Sequence, residues 1–171
     1  MSSLTPEFAA GVREMMLQSI EREVATTMKV IAAVPDAKRD WKPDPKARSA
    51  WDLAWHIASE DVVFLECITE LKFKLPDPRF DKEKPANSAD LAAWYQRKMK
   101  DAIGKVRKMT PQQLVTPVDF LGMMTLPVFA YIGFMSNHSI HHRGELAVYL
   151  RPMGSKVPSI YGPSADDSGG M

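Results

Sequence analysis

Apolar residues recur along the chain at three- and four-residue steps within long segments, and prolines separate those segments. Val12, Met15, Met16, Ile20, Val24, Met28 and Ile31 form the first such stripe, the spacing of a helix that buries one face. Thr5 before Pro6, with Glu7 in the first turn, supplies its start, and Pro35 its stop. Asp36–Arg48 carries two prolines and many charges and reads as a loop. Ser49, with Asp52 three residues on, caps a second helix that runs to about Phe73, ahead of Pro76, Pro78 and Pro85. A third helix runs from Ser88 to about Met109, and Thr110–Pro111 begins one further turn. Leu114–Leu126 is apolar but broken by Pro117 and Gly122, which suits a short extended or hairpin element. The fourth helix runs from near Pro127 to near Leu150, and Ser155–Ser164 folds back over the bundle. Four amphipathic segments of this length predict an all-α four-helix bundle. It forms one domain over residues 1–163, with a flexible tail over 164–171.

Composition narrows the possibilities. A chain of 171 residues buries about 70% of its unfolded surface and needs neither disulfide nor metal to reach a stable core. Its 22 Lys+Arg against 21 Asp+Glu leave a net charge of +1, which speaks against a nucleic-acid partner. No basic, apolar leader and no long uninterrupted apolar run are visible, so the expectation is a cytoplasmic protein without a membrane partner. The single cysteine, Cys67, excludes a disulfide scaffold and a cysteine-based zinc knuckle.

The four histidines carry the chemistry. His138 and His142 stand at i and i+4 on the fourth helix, so both imidazoles present to one point. A third ligand comes from another helix, where His56 stands in the second. Three neutral imidazoles with open positions suit Zn²⁺, Ni²⁺ or Fe²⁺. His141 competes: it can hydrogen-bond to a neighbouring helix or replace either partner if the helix is rotated. Tyr131, Phe134, Glu145 and Tyr149 fall on the same side as the pair. Glu145 can accept an imidazole N–H and orient the ring. Asp52 and Glu60 flank His56 at one turn, either able to do the same, and Glu60 can also ligate directly or move a proton. Gly144 falls on the opposite face, fit for a close helix contact, and Arg143 points to solvent or to the C-terminal segment. Cys67 returns to the His56 stripe but lies about 16 Å further along the axis, too far to share a metal. Trp51, Trp55 and Phe64 read as core, while Met123–Met124 can line a pocket mouth.

The run H-S-I-H-H-R-G-E-L (His138–Leu146), the single histidine early in the second helix and V-P-S-I-Y-G (Val157–Gly162) together resemble the DinB/YfiT-like superfamily. The resemblance implies a handed variant of the up-and-down four-helix bundle. It also implies a divalent-metal site at the positions of His56, His138 and His142, and a homodimer. Characterised branches are mostly thiol-dependent transferases or isomerases, which implies a low-molecular-weight thiol as co-substrate and a small-molecule substrate. Two classes of function stay open, beside a purely structural role in which the histidines only hydrogen-bond within the bundle. One is a metal-dependent enzyme, whether thiol transferase, isomerase or hydrolase. The other is a non-catalytic metal- or ligand-binding module tied to stress.

Overall fold

A computed structural model of the chain describes residues 5–74 and 76–168. Its long helices are α1 (Pro6–Ala32), α2 (Ala50–Thr69), α3 (Ser88–Arg107) and α5 (Val128–Leu150), with a short α4 (Pro111–Val115) before α5. The starts follow side-chain capping: Thr5 accepts from Phe8 N at 3.2 Å, Ser49 from Asp52 N at 3.1 Å and Asn87 from Asp90 N at 2.8 Å. The fold is all-α as expected, with one hairpin set into it. That hairpin, β1 (Pro117–Phe120) against β2 (Met124–Pro127), occupies the segment where a broken apolar stretch predicted one. Its turn holds Leu121 and Gly122 at φ 57° and 73°, the pair of positive angles that matches the twist of the flanking strands. Tyr131 anchors it, donating to Val118 O at 2.8 Å and accepting from Leu126 N at 3.2 Å.

The second helix ends at Thr69, four residues short of the expected Phe73. Leu71 adopts φ 55°, and Lys72 N donates back to Cys67 O at 3.0 Å, the closing bond of a Schellman stop. Leucine in the left-handed region costs about 1–2 kcal/mol. The turn returns Phe73 onto Phe64 and Tyr131, both 4.9 Å away between centroids. Burying that ring contributes about 1.5–3 kcal/mol, which offsets the strain.

Helix α1 packs on α3 and α5, and α2 packs on the same two. The chain-consecutive pairs α1–α2 and α3–α5 therefore lie on the diagonals of the bundle. Diagonal crossings need long connections, and residues 33–49 and 108–127 supply them. Because α5 lies between α1 and α2, it is buried on two sides. Arg143 is the consequence: only 1% of its side chain is exposed, contrary to the solvent alternative. Its guanidinium donates to Glu23 Oε2 at 2.5 Å and Thr27 Oγ1 at 3.2 Å on α1, and to Tyr161 OH of the C-terminal segment at 2.6 Å. Gly144 is exposed with open space where a Cβ would stand, so no helix uses it for close approach. The C-terminal segment folds back, and part of the expected tail is tied down with it. Asp166 accepts from Val157 N at 3.0 Å and Arg151 Nε at 2.9 Å, and Ser164 donates to Val157 O at 2.5 Å. Residues 169–171 lie outside the described ones.

Candidate metal centre

The side-by-side packing of α2 and α5 brings His56 against His138 and His142. One ring nitrogen from each lies within 4.8 Å of the other two. The ring centroids are 4.6–5.1 Å apart and the planes meet at 68–83°, so the imidazoles converge edge-on and do not stack. An ion with tetrahedral bonds of about 2.0–2.1 Å holds such nitrogens about 3.4 Å apart, so binding draws the three rings inward. Burial lowers the His56 pKa to about 4, helped by the nearby Arg48 charge, and burial also lowers His142. Both rings are therefore neutral at neutral pH, the form in which imidazole ligates. The donor set fits a borderline divalent cation: three imidazole nitrogens and no thiolate.

Carboxylates flank the rings. His142 Nδ1 lies 3.0 Å from Glu145 Oε2, and Tyr149 OH donates to Glu145 Oε1 at 3.0 Å. Burial pushes Glu145 up, but these two hydrogen bonds outweigh it and hold the carboxyl below its ordinary value. A carboxylate on Nδ1 fixes the proton there and leaves Nε2 of His142 as the free nitrogen. His141 is exposed, 4.9 Å from the His142 ring, and forms a second, outer group with His142 and Glu145. Next to His56 lies a cavity of about 480 Å³ whose wall includes Arg48, Trp55, Glu60, Asp77 and Phe80. The lining thus mixes aromatic and charged side chains. Burial raises the Glu60 carboxyl, whereas Asp52 is committed to Ser49 at 2.7 Å and Lys84 at 3.5 Å.

The DinB family model matches residues 2–169. The chain belongs to the DinB family. It is similar to the uncharacterized protein YrdA of Bacillus subtilis, 25% identical over 152 residues that cover 88% of this chain and 89% of that one. The crystal structure of a DinB-like protein from Bacillus cereus superposes with a TM-score of 0.72 at 28% identity, covering 86% of this chain and 97% of that one. That of the DinB-like protein YjoA from Bacillus subtilis gives 0.67 at 21% identity, over 85% and 97%. The last likeness speaks for the fold alone.

One residue of this DinB protein's site escaped the sequence reading. Asp61 is 0% exposed, and its Oδ1 lies 4.0 Å from His138 Nδ1. The signal was present: Asp61 continues the buried stripe Ala54, Ile57, Ala58, Leu65, Ile68, where a carboxylate needs a reason. Trp51 and Phe64 are core, as expected, while Trp55 packs on Trp94 at 5.1 Å and also faces the cavity. Tyr131, placed on the histidine side by angle alone, lies under the hairpin among Phe64, Phe73 and Phe120. Phe134 stacks on Phe64 at 5.6 Å. Met123 is exposed at the hairpin turn and Met124 packs on the core. Cys67 is buried, and burial raises its thiol. Among the described residues no helix is long and apolar enough to cross a membrane.

The shift at His56 makes metal-free stability depend on pH. Its value is 6.5 in the unfolded reference and about 4 in the fold. The unfolded chain therefore binds the proton more readily between those limits, and stability falls as pH drops through them. His142, shifted the same way, adds to the loss. Chelator-treated protein is expected to melt lower at about pH 5 than at about pH 7.5, with a smaller difference in His56→Gln. Equal differences in the two proteins would refute this assignment.

Proposed function

We propose that this DinB-family chain is a divalent-metal-dependent enzyme acting on a small electrophilic molecule, with His56, His138 and His142 holding the ion. Convergence of three imidazoles beside a cavity is the observation that carries the reading. Zn²⁺ or Ni²⁺ suits the donor set best, and Fe²⁺ also fits. When bound, such an ion lowers the pKa of a thiol or water so that the nucleophile forms at neutral pH. The family resemblance favours a low-molecular-weight thiol, giving S-transfer or thiol-assisted isomerisation; water gives hydrolysis. Glu145 holds the His142 ring. Glu60, raised by burial and one turn from His56, takes up the proton released. Arg48 and Trp55 in the cavity wall orient the substrate. A homodimer working in the cytoplasm completes the proposal.

A second reading, a metal- or ligand-binding module without turnover, draws on the chain's own nucleophiles. The Ser59 hydroxyl in the cavity wall donates to Trp55 O at 2.8 Å, and Cys67 is buried. The test is elemental analysis of tag-free protein followed by thiol-conjugation and ester-hydrolysis panels on the loaded form. About one equivalent of metal with turnover is expected. Metal without turnover favours the module. Less than about a tenth of an equivalent, with no uptake on reconstitution, overturns both.

A further inference from the structure

Asp61 is a buried carboxylate satisfied on one side only. Its Oδ2 accepts from Tyr95 OH at 2.7 Å on α3 and from Ser139 Oγ at 2.6 Å on α5. Its Oδ1 has no hydrogen-bond partner and is sealed from solvent. Tyr95 is fully buried, which pushes its phenol well above the ordinary value and keeps it a donor. Among the described residues no Lys or Arg pairs with Asp61; the single cationic candidate within 4.0 Å is His138. A buried carboxyl oxygen left unpaired this way is costly. An amide oxygen would receive the same two hydroxyls at lower desolvation cost, so holding Tyr95 and Ser139 does not explain a carboxylate. Ser139 adjoins His138 on α5, so its grip on Oδ2 fixes the acid relative to the very turn that carries the imidazole.

We propose that Asp61 is a positioning residue for His138: Oδ1 accepts the His138 Nδ1–H, holding the ring and its tautomer so that Nε2 is the nitrogen presented to the metal. The proposal rests on the metal reading above. At 4.0 Å the pair is not yet a hydrogen bond; a side-chain movement of about 1 Å makes it one. Glu145 already stands in that relation to His142 at 3.0 Å. Two of the three rings would then be steered by a carboxylate on the same nitrogen, one from within α5 and one from α2. A carboxylate behind an imidazole also raises its basicity as a ligand.

Asp61→Asn separates this role from simple packing. Its amide oxygen keeps Tyr95 and Ser139, while its NH₂ faces His138 Nδ1 and selects the opposite tautomer. The Zn²⁺ dissociation constant, measured by competition with a chromophoric chelator, is expected to rise about 10–100-fold. The metal-free variant is expected to melt no lower than the parent. An unchanged dissociation constant overturns the proposal. Should the variant fail to fold, the parent protein decides. Two-bond ¹⁵N–¹H spectra of metal-free, ¹⁵N-histidine-labelled protein report the tautomer of His138, assigned by its loss in His138→Gln. Protonated Nδ1 with bare Nε2 is expected; protonated Nε2 overturns the role. If the parent takes up no Zn²⁺ or Ni²⁺, the metal reading falls, and the tautomer alone then decides Asp61.

Discussion

His138→Ala is expected to lose stoichiometric Zn²⁺ or Ni²⁺ binding while remaining folded. The His138 side chain is 31% exposed and belongs to no core cluster. Its removal therefore opens no large cavity, the usual route to a severe loss of stability. The proposed metal site, by contrast, loses one of its three nitrogens. Loss of a partner behind a ligand costs about 10–100-fold in affinity, and loss of the ligand itself is expected to exceed that range. Calorimetric titration gives the affinity, and circular dichroism with a melting curve checks the fold. His141→Ala is the control: it removes an exposed ring from the outer group with His142 and Glu145. If His141→Ala abolishes binding and His138→Ala does not, the ion belongs to that outer group, and the assignment of His56 falls with it.

These outcomes bear on what the sequence could and could not reveal. The long helices were legible because their signals are local: a stripe at three- and four-residue steps, a Thr5 or Ser49 cap, a proline beyond the end. The His138/His142 pair was legible for the same reason, since i,i+4 spacing fixes a shared direction whatever the fold. His56 joined them because the chain holds so few histidines. Asp61 was harder. Its position on the buried stripe of α2 was visible, but Tyr95 and Ser139, which make its burial tolerable, stand 34 and 78 residues away. Leu71 carried no local warning either, because the left-handed stop falls on a leucine where glycine is usual. Angular placement failed at Tyr131 and was half right at Arg143, which reaches Tyr161 of the C-terminal segment but is buried and not in solvent. The hairpin covers Tyr131, which angle alone assigned to the site, and α1 covers Arg143, whose solvent alternative is thereby excluded.

Arg143 gives the largest expected change in stability. Arg143→Ala strands Glu23, whose side chain is 18% exposed, and removes the donor that joins Thr27, Tyr161 and the Glu23 backbone oxygen. Breaking a buried pair from one side costs about 3–5 kcal/mol. In a domain of this size that lowers the melting temperature by about 10 °C. The C-terminal segment should loosen as well, because Tyr161 then keeps only its bond to Glu23 at 2.9 Å. Limited proteolysis is expected to cut between Ser155 and Tyr161 sooner than in the parent. Glu23→Gln should also destabilise, since it leaves the Arg143 charge, only 1% exposed, uncompensated even though the amide oxygen still accepts. Arg143→Lys should cost less than Arg143→Ala because the charge stays beside Glu23, but an ammonium lacks the planar fork that reaches four acceptor atoms on three residues at once. The guanidinium points to α1, away from His56, so folded Arg143→Ala should bind metal within a few-fold of the parent. A melting shift below about 1 °C would show that Arg143 contributes no net stability. A loss of metal affinity in the folded variant would instead tie the α1 contact to the histidine site.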